Sequence, residues 1–465
     1  MIFRPLVRAA GSALSALAIA GTVLAPAARA VADDGPGLSI IRDTEIEEIL
    51  HEEGDPIFIA AGLDPKAVQI HIISDNELNA FSAGGQQLFL NTGLILQTKT
   101  PNQLAGVMAH ETGHIAGGHM ARSGAATRAA LGPALLSIGL GILAAVAGAP
   151  DAAGALVFSA GYFGELSALG YSREQESRAD QAAATYLERA GVSGRGLVQF
   201  FDNFRYQEVF DDEKKFPFFR DHPLSDDRIS ALQIRVKQAA HYGVVDTPKA
   251  LARHAIMKAK LEAFLLGAAS VDADYPASDQ SFPARYARAI DLYRATETDA
   301  AVKAIDALIA EQPDDPYLWE LKGQALFESG RMKEAEPAHR RSVELKPDAP
   351  LLRVNLAQTL VAEGGPARLD EAILHIRHAL AADAESPLAW RLLSEAYDAK
   401  GQPGMAQLAA AEQNFHLGQL LEARTFAYHA RQTLAQGSPE WRRATDIILA
   451  SKPSPDQLKQ LGVSG

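Results

Sequence analysis

The chain has 465 residues, of which 47% are hydrophobic and 22% charged, as is typical of a globular protein. This length exceeds one ordinary core, so we expect two domains or one domain joined to a repeat array. The formal net charge of -13 argues against nucleic acid as a partner, because the acidic chain would repel the phosphates. Cysteine is absent, which excludes disulfides and thiolate ligands, so any metal must be held by His, Asp or Glu.

The first thirty residues have the features of an export signal. Arg4 and Arg8 precede an uncharged run over residues 9–24, and Ala28-Arg29-Ala30 supplies small residues for cleavage. This pattern predicts a signal peptide over residues 1–30. An uncleaved anchor helix is the alternative, which the helix-breaking Pro26 disfavours. In a bacterium, cleavage would leave a mature chain of charge -16 in the periplasm.

The part that follows, residues 31–270, is predicted to be a domain of its own with a small sheet. Its first stretch, residues 43–53, favours a helix, and residues 68–73 form a β-rich run. Residues 86–90 follow a Gly-Gly pair and predict a second strand, which could pair with the first as an antiparallel ribbon. Pro101 then begins a helix.

Two uncharged runs, residues 129–149 and 152–164, separate that helix from the rest of the domain. Glycine and alanine dominate both, and Pro133, Pro150 and Asp151 interrupt the pattern. The first run is long enough to cross a bilayer and the second is not. Two interpretations stay open: helices that pack in the core or cover the cleft as a lid, and a segment in peripheral contact with a membrane.

Residues 281–451 show a repeat with a period of 34 residues. Ala289, Leu292, Ala301 and Pro313 recur 34 positions later as Gly323, Leu326, Ala335 and Pro347. This is the tetratricopeptide pattern, in which small residues let two antiparallel helices approach and proline ends the second. A third unit carries about three extra residues, and a fourth follows. We therefore expect an all-α solenoid.

The sequence His110-Glu111-Thr112-Gly113-His114 is an H-E-x-x-H motif within an apolar, helix-compatible stretch. Positions four apart lie on one helical face, so His110 and His114 can bind a single ion. Glu111 lies about 100° around the helix, where its carboxylate can activate the attacking water. Gly113 is hard to explain as helix design, since glycine costs about 1 kcal/mol there.

Zinc needs a third protein ligand while one position stays open. His119 is five residues beyond His114, on a different face while the helix continues, and the metzincin position is Met120 rather than histidine. Glu176 is the better candidate. Asp180, four residues later on the same face, can accept a hydrogen bond from a ligand histidine, with His110 favoured.

These residues resemble the gluzincin peptidases of the Ste24/HtpX type. The resemblance is specific at His110–His114 and at Arg173-x2-Glu176-x2-Ala179-Asp180. The segments before the active-site helix are also similar to the family's strand region: Asn79-Ala80-Phe81, Gly84-Gly85, Leu88-Phe89-Leu90 and Thr92-Gly93-Leu94. The resemblance implies a mainly α protein, with an α+β peptidase domain and one catalytic zinc ion per chain.

The resemblance implies two further site residues. His222, in Asp221-His222-Pro223, is similar to a histidine that can occupy the open zinc position and hold the enzyme latent. By chemistry alone it would be a surface histidine beside a turn proline. Arg228 could stabilise a developing oxyanion or pair with Asp226 or Asp227.

The predicted function is endoproteolysis of misfolded or stalled envelope proteins in the periplasm. We expect substrate to lie extended beside an edge strand made by Gln87, Leu88, Phe89 and Leu90. The repeats would bind substrate or the outer-membrane β-barrel assembly machinery. The alternative is a repeat-based chaperone or scaffold with a structural or latent zinc site, although a structural site needs no general base.

Overall fold

A computed structural model describes residues 39–119, 173–205, 218, 222 and 224–453. The predicted signal peptide, residues 1–30, and the uncharged segment, residues 129–164, lie outside the described residues. Among the helices that are described, none combines the length and the apolar composition needed to span a bilayer.

The described residues from 39 to 265 form the first of two units, and this unit begins with a four-stranded sheet. Its strands are β1 (Ile40–Ile41), β2 (Gln69–Ile73), β3 (Ala80–Ala83) and β4 (Gln87–Asn91), in the spatial order β1-β2-β4-β3. The predicted antiparallel ribbon is wrong, because β2 and β4 pair in parallel. The reason is that β3 lies between them in sequence and returns onto β4 through a tight turn with positive φ at Gly85 and Gln86.

Seven helices complete this unit in the described part of the chain. They are α1 (Thr44–Ala60), α2 (Thr92–Gln97), α3 (Pro101–Gly117), α4 (Arg173–Arg189), α5 (Arg195–Arg205), α6 (Asp226–Lys237) and α7 (Pro248–Leu265). The predicted first helix is confirmed: the Asp43 side chain caps it by accepting from the Ile46 N–H, and it continues to Ala60. Leu50, Leu88, Met108 and Phe200 are fully buried in the common core.

Helix α3 runs through the centre of this core. The Thr100 side chain accepts a hydrogen bond from the Gln103 N–H, and Pro101 takes the first helical position, where its missing N–H is not needed. Of the residues from Pro101 to His114, all except Asn102 are buried. The helix ends at Gly117, and Gly118 adopts the left-handed conformation that a side chain would disfavour.

The rest of the described chain is helical and confirms the repeat prediction. After α8 (Ala268–Asp274) come five helix pairs: α9 (Phe282–Arg294) and α10 (Thr298–Glu311), α11 (Pro316–Glu328) and α12 (Met332–Leu345), α13 (Pro350–Glu363) and α14 (Pro366–Ala382), α15 (Pro387–Ala399) and α16 (Pro403–His416), α17 (Leu420–Thr433) and α18 (Pro439–Ala450). The first helices of the first three pairs begin 34 residues apart, and Pro387 follows Pro350 by 37. At Gly323 a Cβ would lie 2.1 Å from the His339 ring, so a small residue is needed there.

Helix α7 belongs to both units. Met257 and Leu261 pack in the core that surrounds α3, whereas Ala259 and Ala263 pack in the core of the first repeat. The mainly α fold class, with one small sheet followed by tetratricopeptide-like repeats, is therefore confirmed.

A buried polar group, here called the seam cluster, joins the two units beside α7. Its members are Asp43, Glu45, Lys260 and Tyr286. The Lys260 ammonium lies 2.8 Å from Asp43 and 3.1 Å from Glu45, and the Tyr286 hydroxyl donates to Glu45 at 2.9 Å. Lys260, Glu45 and Tyr286 are each at least 96% buried.

Candidate metal centre

Four side chains meet at one point in the first unit, and we call them the donor cluster. His110 and His114 come from α3, Glu176 comes from α4, and His222 lies before α6. One ligand atom of each lies within 4.8 Å of all the others, and all four residues are fully buried. The i, i+4 spacing in α3 therefore places both histidines on the face that meets α4.

The spacing of the donor atoms fits a tetrahedral metal ion. The Nε2 atoms of His110 and His114 are 3.2 Å apart, and each lies 3.4 Å from a Glu176 oxygen. The Nδ1 atom of His222 lies 3.1 Å from Glu176 and 3.3 Å from His110 Nε2. Ligands about 2.0–2.1 Å from a zinc ion would be separated by about 3.3 Å at tetrahedral angles. Imidazole and carboxylate groups are also the donors that zinc accepts in a chain without cysteine.

The close approach of α3 and α4 explains Gly113. A Cβ at this position would lie 2.9 Å from the carbonyl oxygen of Ala179 and 3.0 Å from its Cα, which leaves no room for a side chain. Ala179 lies between Glu176 and Asp180 on α4. The glycine therefore lets the backbone of α4 come near enough for both carboxylates to reach the histidines of α3.

Asp180 and Arg228 surround the donor cluster on the α4 side. The Asp180 carboxylate lies 3.0 Å from His110 Nδ1, the nitrogen that points away from the cluster. The Arg228 guanidinium donates twice to Asp180, at 2.8 and 2.9 Å, and also lies 3.1 Å from Glu176. The sequence did not predict the contacts of Arg228 with Asp180 and Glu176, because no local pattern links residues that are 48 and 52 positions apart.

Glu111 lies beside the cluster without being one of its four members. Its carboxylate is fully buried and 3.5 Å from His222 Nε2. Both of its oxygens are among the buried polar atoms that make no hydrogen bond within the described chain. Burial raises the pKa of Glu111, and the nearby charge of Glu176 adds to the rise. A buried, weakly acidic carboxylate at this place can accept a proton from a water molecule.

The ionisable groups of the site shift one another's pKa values. Burial alone would lower the pKa of His110, but its hydrogen bonds and charge interactions with Asp180 and Glu176 raise that pKa to about 10. Burial and the positive charge of His110 lower the pKa of His114 well below the usual value. A cation bound among these groups would replace the proton that His110 otherwise holds.

The strand that the sequence predicts to pair with substrate is not an edge strand. Gln87, Leu88, Phe89 and Leu90 belong to β4, which pairs with β2 on one side and with β3 on the other. Their backbone groups are therefore used within the sheet, and the edge-strand prediction is wrong. Within the described residues the edge strands of the sheet are β1 and β3, and β3 packs against α3.

Sequence reasoning also missed a contact of His119. Its Nδ1 atom lies 3.0 Å from Nδ1 of His114, on the side away from the donor cluster. As the helical spacing predicts, His119 is not one of the four side chains of the donor cluster. The helix ends at Gly117, however, and the chain turns back. The signal in the sequence was the pair Gly117-Gly118, which predicts a helix end.

Comparisons with known proteins agree with this architecture. Residues 44–236 match peptidase family M48, and residues 286–350 match the tetratricopeptide repeat. A Yersinia pestis protein named beta-barrel assembly-enhancing protease is 24% identical over 440 residues, covering 91% of this chain and 85% of that protein.

Two further relatives match shorter parts. A Vibrio cholerae protein that carries the beta-barrel assembly-enhancing protease name is 28% identical over 292 residues, and the match spans 60% of this chain and 58% of that protein. The Escherichia coli protein named Metalloprotease LoiP is 27% identical over 176 residues, which cover 37% of this chain and 65% of the relative.

Proposed function

Because the chain contains a metalloendopeptidase domain of peptidase family M48 followed by tetratricopeptide repeats, we propose that it is a zinc endopeptidase of the bacterial periplasm. Its substrates in this proposal are misfolded or stalled envelope and outer-membrane proteins. We assign residues 1–30 to a cleaved signal peptide, residues 31–270 to the peptidase domain and residues 281–451 to the repeats.

The observation that carries the proposal is the donor cluster with Glu111 beside it. His110, His114 and Glu176 would hold the zinc ion, which polarises a carbonyl group and lowers the pKa of a water molecule when it is bound. Glu111 would take a proton from the attacking water and later deliver it to the leaving nitrogen. Asp180 would hold the tautomer of His110 by accepting from its Nδ1–H.

Arg228 has a positioning role in this proposal. Its guanidinium contacts Glu176 and binds Asp180 through two nitrogens, so one side chain orients a ligand and the partner of another ligand. A role in stabilising an oxyanion, by contrast, stays a prediction.

His222 would keep the site latent. Its Nδ1 atom occupies the fourth corner of the donor cluster, and its Nε2 atom lies 3.5 Å from Glu111. In this arrangement the histidine takes the place of the attacking water and faces the group that would activate that water. Activity would then require His222 to leave the cluster, and a His222→Ala variant should cleave faster than the parent.

An extended substrate would add to β3 rather than to β4. Strand β3 (Ala80–Ala83) packs against α3, and Ser82 lies close enough to influence the pKa of Glu111. Backbone pairing along such a strand tolerates many side chains, which suits a protease of misfolded proteins. The repeats would bind the substrate or the outer-membrane β-barrel assembly machinery, as the name of the Yersinia pestis relative suggests for that protein.

The test is cleavage of a reduced, unfolded outer-membrane protein by the purified mature chain. We expect about one zinc ion per chain, cleavage that a chelator abolishes, and cleavage that returns with added zinc. Glu111→Gln should retain zinc and lose roughly 10²–10⁴-fold in rate, the usual contribution of a general base. Parental rates in that variant would refute the role of Glu111.

A chaperone with a latent site is the second candidate, and the position of His222 is the observation that favours it. If the protein prevents aggregation of the same substrate, and neither His222→Ala nor added zinc produces cleavage, this candidate replaces the first. The two activities can also occur in one chain, and the Glu111→Gln variant would then keep the chaperone activity alone.

A further inference from the structure

The end of helix α3 turns a fifth histidine back towards the donor cluster. Gly118 has φ of 59° and ψ of 34°, and its N–H bonds to the carbonyl oxygens of His114 and Ile115. A Cβ at Gly117 would lie 2.7 Å from Nε2 of His119. Both glycines are therefore required: one permits the left-handed turn, and the other leaves space for the returning imidazole.

The returning ring meets the outer nitrogen of a metal-donor histidine. His119 is 96% buried, and its Nδ1 lies 3.0 Å from Nδ1 of His114, with the ring planes at 79°. The other nitrogen of His114, Nε2, faces His110 and Glu176. When Nε2 offers its lone pair to a cation, the proton of neutral His114 must be on Nδ1. His119 Nδ1 is then the acceptor, and its own proton is on Nε2.

We propose that His119 is a positioning residue that fixes the tautomer and ring orientation of His114 and thereby strengthens zinc binding. The inference rests on the zinc site of the proposed function. It gives the two histidines of α3 different supports, since His110 is held by the Asp180 carboxylate and His114 by a neutral imidazole. Partners of this kind commonly contribute 10–100-fold to metal affinity.

Two substitutions separate the hydrogen bond from the space that the ring fills. His119→Gln keeps an oxygen that can accept from His114 Nδ1–H, whereas His119→Phe keeps a ring but has no acceptor. The zinc dissociation constant of the full mature chain would be measured by competition with a chromophoric chelator. We expect roughly 10–100-fold weaker binding in His119→Phe and a value near the parent's in His119→Gln.

Cobalt(II) provides a readout that does not depend on activity. In the cobalt-loaded protein, a reoriented His114 should change the visible bands that report tetrahedral coordination in His119→Phe but not in His119→Gln. His241→Phe, a substitution at a half-exposed histidine distant in the sequence, is the control. Thermal unfolding of the metal-free variants would verify that the fold is intact.

The outcomes separate this inference from the function on which it rests. Parental zinc affinity in His119→Phe, or equal losses in the Phe and Gln variants, would overturn the role of His119 while the zinc site stands. A parent chain that binds no zinc would overturn the site and this inference together.

Discussion

The donor cluster and the seam cluster are both buried and charged, but their atoms are arranged in opposite ways. In the seam cluster oppositely charged groups face each other, as when the Lys260 ammonium lies 2.8 Å from Asp43 and 3.1 Å from Glu45. In the donor cluster, groups that coordinate through lone pairs face each other: the two Nε2 atoms of His110 and His114 are 3.2 Å apart, and both lie 3.4 Å from Glu176.

The difference identifies which buried charges call for a ligand. In an ion pair such as Lys260 with Glu45, opposite charges face each other, so the contact needs no bound metal ion. Lone pairs that converge within hydrogen-bond distance are stabilised only by a proton or a metal cation placed among them. Arrangement, rather than burial or charge alone, therefore distinguishes a metal centre from a structural junction.

Removal of the Glu176 carboxylate from the donor cluster should have the largest effect on activity and on zinc binding. We expect Glu176→Ala to abolish cleavage and to weaken zinc binding by more than the 10–100-fold that loss of an outer partner costs. Zinc content and peptidase rate are the measurements. Glu174→Ala, at an exposed position on the same helix, is the control and should match the parent. Full zinc occupancy in Glu176→Ala would place the metal elsewhere.

Removal of the cation from the seam cluster should affect stability and leave the metal centre intact. Lys260→Met would leave Asp43 and Glu45 buried without their partner, a change that typically costs 3–5 kcal/mol. We expect a lower urea midpoint and unchanged zinc stoichiometry. The control is Lys249→Met on the same helix, whose exposed pair with Glu52 contributes at most about 1 kcal/mol. Loss of zinc in Lys260→Met would contradict the independence of the two clusters.

Gly113→Ala tests whether the approach of the two helices creates the donor cluster. Alanine improves helix propensity by about 1 kcal/mol, but its Cβ would press on the backbone of Ala179, and such overpacking costs about 1–3 kcal/mol. We expect weaker zinc binding together with a small loss of stability. Gly243→Ala introduces a methyl group where no atom lies within 4 Å, and it should change neither quantity. A gain in stability with parental zinc affinity would refute the packing argument.

The smallest effect is expected from Glu320, which lies beside the seam cluster and should change how stability depends on pH. Partial burial and the charges of Asp43 and Glu45 raise the pKa of Glu320 to about 8, although Lys260 opposes the rise. Between pH 4.5 and 8 the folded protein therefore binds more protons than the unfolded chain, so stability should fall as pH rises through this window.

Glu320→Gln removes this dependence. Because Glu320 is partly exposed, solvent screens its charge, and we expect a difference of only a few degrees in Tm between the parent and the variant across that window. Parallel curves of Tm against pH for the two proteins would show that Glu320 ionises normally.

The features that the sequence predicted are those that periodicity and local chemistry determine. The 34-residue spacing predicted the helix pairs, and the i, i+4 spacing of His110 and His114 predicted a shared helical face. The same i, i+4 rule predicted that Glu176 and Asp180 lie on one face of α4. Each of these inferences uses only the geometry of one helix or one repeated unit.

The sequence could not predict how separate segments meet. The parallel pairing of β2 with β4 depends on a short third strand whose two alanines, Ala80 and Ala83, give little strand signal. The contacts of Arg228 and His119 likewise depend on tertiary packing and on where α3 ends. Hydrophobic patterns specify which face is buried, but not which distant side chain will lie against it.

Helix α7 prevents the two units from behaving as exchangeable modules. A fragment that stops before this helix would lose Met257 and Leu261 from the catalytic core, whereas a fragment that retains it would expose Ala259 and Ala263 to water. A truncation on either side of this helix therefore disturbs the core of one of the two units. A truncated or recombined protein must therefore keep this helix and carry substitutions on the face that packs against the missing unit. In the intact chain, a force applied to the repeats would be transmitted through α7 to the peptidase unit.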